Sequence, residues 1–126
     1  DTVELETGEH LRYIGIDTPE TKHPNKPVQC YGEEAYQMNK KLVEGKTVRL
    51  EKDVSETDRY GRLLRYVYLP TQASPSGILL NDYLVKEGFA FGVTFPPDVK
   101  FAELFRLHQQ EARENGKGMW KSCATL

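Results

Sequence analysis

The chain has 126 residues and a formal net charge of −2, with 38% hydrophobic and 29% charged residues. This length suits a single domain over residues 1–126 with a hydrophobic core of its own. No apolar run approaches the roughly 18 residues of a membrane-spanning helix, so no membrane partner is expected. The mildly acidic balance argues against nucleic-acid binding through bulk electrostatics, and any phosphate recognition has to be local or assisted by a bound cation.

The cysteine and histidine patterns exclude the common zinc sites. Cys30 and Cys123 form no C-x-x-C pair, and the three histidines lack metal-binding spacing. Two unrelated thiols and a disulfide both fit the sequence, and the disulfide is only weakly favoured. A bridge closing so long a loop would stabilise the fold by roughly 4–5 kcal/mol. A bridged chain suits a secreted, periplasmic or cell-envelope location.

The first third of the chain predicts a hairpin followed by a helix. Residues Thr2 to Glu6 alternate, as a half-buried strand does, and His10 to Ile16 is predicted to return as the second strand. Residues Tyr31 to Val43 carry apolar side chains at helical spacing, and Gly45 follows the end of that helix.

The remaining segments predict further strands and two helices. Strands are expected at Lys46 to Asp53 and Leu63 to Leu69, and Phe89 to Phe95 is expected to be extended. Helices are expected at Ile78 to Glu87 and from the Pro96-Pro97-Asp98 start signal to about Asn115. Strands followed by helices, without a βαβ rhythm, predict an α+β fold built on a small antiparallel barrel.

The most informative stretch is Arg12 to Pro24, which reads RYIGIDTPETKHP. Its first half is β-prone, and Pro19 ends the strand because proline cannot donate to a ladder. One strand exit then carries four groups: the guanidinium of Arg12, the carboxylates of Asp17 and Glu20, and a backbone carbonyl. These groups suit a phosphate together with a hard cation. The alternative is an ordinary turn or helix cap with solvated carboxylates.

A second arginine follows a tight turn at residues 58–62, which read DRYGR. Gly61 permits the unusual backbone angles that such a turn needs. If the barrel closes, Arg62 meets the strand exit that carries Arg12, and two guanidinium forks can grip one phosphate in a way that lysines cannot. Taken alone, Arg62 is better explained as a surface arginine after a tight turn.

Six motifs together resemble the staphylococcal nuclease (thermonuclease) family, in order and over essentially the whole chain. They are DTV at 1–3, RYIGIDTPETKHP at 12–24, CYGEEA at 30–35, DRYGR at 58–62, LVKEGFA at 84–90 and GMW at 118–120. The resemblance implies an α+β, mainly β, OB-fold: a five-stranded Greek-key barrel with three helices. It also implies a calcium-dependent phosphodiesterase that cuts DNA and RNA, preferring single strands.

The resemblance implies a role for each matching residue. Asp1 and Asp17 correspond to carboxylate ligands of Ca²⁺, with the backbone carbonyl of Thr18 as a third ligand. Calcium takes six to eight oxygen ligands, which leaves room for waters and a substrate phosphate oxygen.

The substrate-side residues follow from the same motifs. Arg12 and Arg62 correspond to the arginines on the scissile phosphate, and Glu20 to the residue that orients or deprotonates the attacking water. Tyr60 corresponds to a nucleotide-contacting tyrosine, and Lys26 to a loop lysine near the phosphate.

The chain departs from the family pattern in two places. The family's opening strand and the first carboxylate of its DGDT motif are expected to precede Asp1. The barrel is therefore expected to lack its first strand. A monomer is expected, with strand exchange as the alternative that such an open edge allows. Where the best-known family member has stacking tyrosines, this chain has Val93, Thr94 and Phe95, of which Phe95 can stack on a base.

Two alternatives to an enzyme remain at this point. One is a non-catalytic module of the same fold that binds nucleic acid or protein. The other is an unrelated OB-fold oligonucleotide binder that uses Tyr66 and Tyr68 as stacking platforms. The joint presence of both arginines with Asp17 and Glu20 favours the nuclease, because a binding module has no need of the whole set.

Overall fold

The computed structural model describes residues 2–21 and 29–123. Within these residues the chain forms a five-stranded mixed sheet, a two-stranded sheet and four helices. The strands are β1 (Thr2–Glu4), β2 (His10–Tyr13), β3 (Ile16–Asp17), β4 (Arg49–Glu51), β5 (Leu63–Leu69), β6 (Ile78–Leu79) and β7 (Phe91–Gly92). The helices are α1 (Gly32–Val43), α2 (Leu80–Lys86), α3 (Ala102–Glu114) and α4 (Met119–Ser122).

Strand β5 is the centre of the larger sheet, whose order is β1-β2-β5-β4, with β6 also paired to β5. Strands β1 and β2 are antiparallel, with Thr2 opposite Arg12. Strands β2 and β5 are parallel, with Arg12 opposite Leu64. This mixed architecture confirms the α+β class and is consistent with an OB-like fold. The described strands do not close into a barrel, and β1 and β4 are the outer members of the strand order.

The predicted strand from His10 to Ile16 is in fact two strands separated by a turn. Gly15 has φ +77, and a Cβ placed there would lie 2.7 Å from a ring atom of Phe105. Only glycine fits this combination of a left-handed backbone and close contact. The turn redirects the chain so that β3 leaves the larger sheet and pairs with β7.

Two predicted helices begin later than the sequence indicated. Residues Ile78–Leu79 were expected to be helical, but they form β6 against β5, and α2 starts at Leu80. The last long helix was expected to start at Pro96-Pro97-Asp98. That segment instead turns back on itself through a bridge between Phe95 and Asp98, and α3 starts at Ala102.

The predicted helix over Tyr31 to Val43 and the strand over Leu63 to Leu69 are both present, the helix starting one residue later. A fourth, short helix follows the three expected ones. Within it, Trp120 packs edge-on against Phe91 with ring centroids 5.6 Å apart, which docks this end of the chain as expected.

The core lies between β2, β5, α2 and α3. Its fully buried apolar side chains are Leu11, Tyr13, Ile16, Tyr66, Val67, Leu80, Leu84, Val85 and Phe105. Burial of each large side chain contributes about 1.5–3 kcal/mol. The buried Asn81 accepts from the Val67 N–H at 2.9 Å and donates to the Ile14 carbonyl at 2.8 Å. This amide therefore ties the turn after β2 to the central strand.

Cys30 and Cys123 form a disulfide, with Cα atoms 6.0 Å apart. The bridge joins Cys30, two residues before α1, to the residue just after α4, two points 93 positions apart in sequence. Of the two alternatives left open by the sequence, the structure has the bridged one. None of the helices in the described ranges has the length and apolar character needed to cross a bilayer.

Candidate functional site

Arg12 is held in place by the turn that follows its strand. Its Nη1 donates to the carbonyls of Tyr13 and Ile16, both at 2.7 Å. The side chain is 16% exposed. Two charge-assisted bonds to fixed carbonyls lock the guanidinium in one orientation, so little side-chain entropy remains to be lost when it binds a partner.

The surroundings of Arg12 carry both signs of charge. Its Nη2 lies 3.9 Å from Oδ1 of Asp17, whose side chain is 60% exposed. The pKa of Arg12 is lowered overall, and burial is the largest cause. The carboxylates of Asp17 and Asp58 raise this pKa, and the charge of Arg62 lowers it. Arginine stays protonated in proteins, so this is a partly buried cation close to a second cation. Such a site stabilises an incoming anion.

Arg62 lies one residue before β5, close to the strands that carry Thr2 and Arg12. Its Nη1 donates to the Thr2 hydroxyl at 3.1 Å, and Thr2 is the β1 partner of Arg12. Arg62 precedes by two residues Leu64, the β5 partner of Arg12. The Arg62 charge is also one of the causes that lower the Arg12 pKa, so the two arginines lie near each other. That the two arginines act on one phosphate stays a prediction.

Asp58 builds the turn that presents Arg62, and sequence reasoning did not single it out. Its Oδ1 accepts from the N–H groups of Tyr60 at 2.8 Å and Arg62 at 3.0 Å, and its Oδ2 accepts from Arg62 Nε at 2.7 Å. Burial raises the pKa of Asp58, but these bonds and the Arg62 charge outweigh it, and the pKa is lowered. The signal available in the sequence was an aspartate three residues before a glycine, which is typical of a side-chain-stabilised turn.

Glu20 and Thr18 line a cleft of about 990 Å³ that also contains Arg62 and Thr2. Glu20 is exposed, and its Oε1 accepts from the Thr21 N–H at 3.1 Å. The buried Tyr13 hydroxyl donates to Asn39 at 2.8 Å on the wall of the same cleft. A carboxylate and a guanidinium therefore face one water-accessible space next to the Arg12 strand.

The predicted metal ligands are placed only in part. Asp1 lies outside the described residues, whereas Asp17 ends β3 with an exposed carboxylate and Thr18 follows it. Carboxylate and carbonyl oxygens are the donors that calcium prefers, so the residues fit a hard cation in kind. In the described ranges, however, no group of three or more His, Cys, Asp or Glu is arranged to hold a metal. These residues alone would supply fewer than the six to eight ligands that calcium takes.

Tyr60 is 69% exposed and lies beside the arginines. Its ring centroid is 5.6 Å from Cζ of Arg62 and 4.9 Å from Cζ of Arg59, and its hydroxyl accepts from Arg59 Nη2 at 2.7 Å. An exposed ring flanked by guanidinium groups offers a flat surface on which a base can stack.

Phe95, the other predicted stacking residue, occupies a different turn. It is 64% exposed, and its turn is held to residues 54–55 by Asp98, which accepts from both backbone N–H groups. Within the described ranges, no hydrogen bond or ring contact joins Phe95 to either arginine. The predicted loop residue Lys26 lies outside the described residues.

Tyr66 cannot act as the stacking platform that an unrelated OB-fold binder would need. This ring is 1% exposed and packs edge-on against Phe101, and its hydroxyl donates to Asp53 at 2.7 Å. Tyr68 is covered on one face by Arg49, whose Cζ lies 4.0 Å from the ring centroid. Tyr66 serves packing, because a side chain within the core cannot receive a base, and Tyr68 is partly buried against that core.

The fold is an OB-like α+β domain that carries Arg12 and Arg62 near the strand exit at Asp17. Comparison with known proteins then identifies the family. Residues 10–122 match the family described as "Staphylococcal nuclease homologue". The chain belongs to the staphylococcal nuclease family.

Relatives with curated names support this assignment. The thermonuclease of Staphylococcus hyicus is 41% identical over 114 residues, which cover 90% of this chain and 64% of that protein. The endonuclease YncB of Bacillus subtilis (strain 168) is 42% identical over 112 residues, covering 87% and 50%. A protein of Escherichia coli O157:H7 named as an uncharacterized endonuclease is 32% identical over 126 residues, covering 98% and 72%. The chain thus spans between half and two thirds of the length of the first two.

Proposed function

We propose that the protein is a calcium-dependent nuclease, a phosphodiesterase that hydrolyses DNA and RNA and prefers single strands. The observation that carries the proposal is that Arg62 bonds the hydroxyl of Thr2, the β1 partner of Arg12, while Arg12 lies 3.9 Å from the exposed carboxylate of Asp17. Family membership and the printed names of the relatives, thermonuclease and endonuclease, support the same reaction.

The two arginines bind the phosphate at the bond to be cleaved. Arg12 is fixed by two carbonyls and Arg62 by Asp58, so the orientation of each guanidinium is set before substrate arrives. Preorganised donors stabilise the charge that grows on the phosphate oxygens as water attacks, since they do not reorient during the reaction. The mutual repulsion of the two cations is relieved by the anion, which adds to its binding.

Glu20 orients or deprotonates the attacking water in this proposal. Its exposed carboxylate lines the cleft that holds Arg62, and a general base has only to reach the water within hydrogen-bond distance. Asp17 and the Thr18 carbonyl hold the cation, together with Asp1. When bound, calcium supplies a positive charge that polarises a phosphate oxygen and offsets the developing negative charge.

Nucleotides next to the phosphate are held by aromatic and basic side chains. Tyr60 stacks on or contacts the sugar and base, which its exposure beside Arg62 supports. Lys26 is proposed to act near the bound phosphate. Phe95 lies in a separate turn, so its stacking role requires a strand that extends beyond the arginines.

We further propose that the enzyme acts as a monomer in an oxidising compartment: secreted, periplasmic or at the cell envelope. The Cys30–Cys123 disulfide supports the location, because such bridges persist outside reducing cytosol. Among the described strands, β1 and β4 are the outer members of the strand order, and these edges make strand exchange the alternative to a monomer.

A cleavage assay on a single-stranded DNA oligonucleotide tests the proposal. The wild-type protein should cut the strand in Ca²⁺ and stop when a chelator is added. Glu20→Ala should lower turnover by orders of magnitude while leaving the circular dichroism spectrum unchanged. Binding of the oligonucleotide without any cleavage in Ca²⁺ would instead identify a non-catalytic module. Near-normal turnover of Glu20→Ala would remove Glu20 from its proposed role.

A further inference from the structure

The backbone of Glu20 is held by two hydrogen bonds to Gln29, nine positions further along the chain. We call this pair of bonds the bracket. The Gln29 side-chain oxygen Oε1 accepts from the Glu20 backbone N–H at 2.8 Å. The Gln29 backbone N–H donates to the Glu20 carbonyl at 2.9 Å. Both polar backbone groups of Glu20 therefore bond to one residue, although the segment is exposed.

Gln29 is itself anchored on its other side. The next residue, Cys30, is bonded to Cys123, whose N–H donates to the carbonyl of the fully buried Met119 at 2.9 Å. The Gln29 carbonyl accepts from the N–H of Gly32, the first residue of α1, at 2.9 Å. Gln29 is thus fixed between the disulfide and the start of a helix.

Gly32 also permits the close approach of Glu20 to this anchor. A Cβ at position 32 would lie 2.7 Å from the Glu20 carbonyl oxygen, and that atom is backbone and cannot swing away. The bracket therefore depends on contacts from α1 and from the bridged segment as well as on the Gln29 amide.

We propose that Gln29 is a positioning residue that holds the backbone of Glu20, with the disulfide and the start of α1 holding Gln29. The inference rests on the proposed role of Glu20 with the attacking water. A glutamate side chain has several rotatable bonds, so its carboxylate can be aimed reproducibly only if its backbone is fixed. Small displacements of a catalytic group lower the rate steeply.

Gln29→Ala removes the side-chain acceptor and leaves the backbone bond. We expect kcat on single-stranded DNA to fall about tenfold, the effect of losing one well-placed hydrogen bond. KM should change little, because Arg12 and Arg62 are untouched. Gln29→Glu keeps an acceptor oxygen at the same reach and should restore most of kcat. Gln37→Ala, which removes an amide bonded to Glu33 on the surface of α1, is the matched control and should not change kcat.

A double variant separates positioning from general weakening of the fold. If Gln29 acts through Glu20, adding Gln29→Ala to Glu20→Ala costs no further activity. Amide hydrogen exchange at Glu20, measured by NMR without metal or substrate, reports the bracket independently of turnover. Exchange should quicken in Gln29→Ala and return toward the wild-type rate in Gln29→Glu.

Two results would overturn the proposal. One is an unchanged exchange rate at Glu20 in Gln29→Ala. The other is a loss of kcat from Gln29→Ala that is as large in the Glu20→Ala background as in the wild type. A wild-type protein that fails to cut DNA in Ca²⁺ overturns the proposed function and the catalytic purpose of the bracket together. The exchange measurement still decides in that case whether Gln29 holds Glu20.

Discussion

Arg62 donates from its Nε to Oδ2 of Asp58 at 2.7 Å, while its backbone N–H donates to the other oxygen of the same carboxylate. One acidic side chain therefore fixes both the backbone and the guanidinium of the arginine. The pair closes a five-residue turn, and the remaining Arg62 donors are left to point toward Thr2 and the strand of Arg12. The turn therefore holds the Arg62 guanidinium, which would otherwise be flexible, in one orientation.

Asp58→Asn should lower turnover without unfolding the protein. The amide oxygen can still accept the backbone N–H groups, but its nitrogen cannot accept from Arg62 Nε, so the guanidinium loses its charged partner. A hydrogen bond to a charged group contributes about 1.5–3 kcal/mol, which corresponds to roughly a 10- to 100-fold loss of kcat/KM. Steady-state kinetics on single-stranded DNA measures this. Wild-type kinetics in the variant would show that Asp58 does not position Arg62.

The same substitution has a pH signature in stability. The pKa of Asp58 is lowered in the folded protein, so its stabilising effect is full above the unfolded carboxyl pKa of about 3.9 and is lost as pH falls below it. The difference in unfolding free energy between wild type and Asp58→Asn should be largest near neutral pH and shrink toward roughly pH 2. Denaturant titrations across this range measure it.

Asp98→Asn is the matched control. The pKa of Asp98 is also lowered: burial raises it, but bonds from Ser55 and Val54 outweigh that effect. Asp98 lies in the turn away from the arginines. The Asp98→Asn variant should show the same pH-dependent loss of stability as Asp58→Asn, with little change in kcat. A loss of turnover equal to that of Asp58→Asn would mean that both variants act through general destabilisation.

Arg12→Lys and Arg62→Lys should each be almost as inactive as the alanine variants. An ammonium group keeps the charge but lacks the planar fork that holds a phosphate through two bonds. Loss of a well-placed donor costs about 10²- to 10³-fold in kcat. Arg106→Lys is the control, because Arg106 forms an exposed ion pair with Glu103 on α3. Lysine variants with more than a tenth of wild-type turnover would indicate that charge alone suffices.

Gly15→Ala should destabilise the protein by more than Gly8→Ala. Both glycines have positive φ values, +77 and +90, so both substitutions strain the backbone by about 1–3 kcal/mol. Only at Gly15 does a Cβ meet another group, the Phe105 ring at 2.7 Å. The difference between the two variants in denaturant midpoint therefore measures the contact between the Arg12 turn and α3. Equal losses of stability in the two variants would show that the Phe105 ring moves aside without an energetic cost.

Removal of the disulfide should lower thermal stability strongly. The bridge closes a loop of 93 positions, which in the chain-entropy account corresponds to about 4–5 kcal/mol. For a domain of this size that is a fall in Tm of roughly 10–20 °C. Cys30→Ser with Cys123→Ser, compared with the wild type by calorimetry, measures it. A shift of only a few degrees would mean that the unbridged chain keeps these ends together by other contacts.

Much of the fold was readable from local patterns. The run Leu63–Leu69 is β-prone throughout and became β5 with the predicted bounds, and the apolar spacing before Gly45 gave α1 within one residue. The break at Ile14-Gly15 was not readable in the same way. It depends on the ring of Phe105, ninety residues later, and on the bonds from Arg12 to two carbonyls, which no local propensity encodes.

The site was predictable in its residue types and less so in its supports. Arginines and carboxylates at two turns indicated phosphate chemistry, because few other groups need that combination. Asp58 and Gln29 were not recognised, since each acts on a neighbour's backbone or guanidinium and neither faces the substrate. Their roles follow from turn geometry and from a disulfide between distant positions, and these become visible only when the chain is folded.

The central claim is that Arg12 and Arg62 act on one phosphate. A double-mutant cycle of Arg12→Ala and Arg62→Ala, read as kcat/KM on single-stranded DNA in Ca²⁺, tests it most directly. The account predicts strong non-additivity, with the double variant losing much less than the product of the two single losses. Single losses that simply multiply would show that the two guanidinium groups work on separate parts of the substrate.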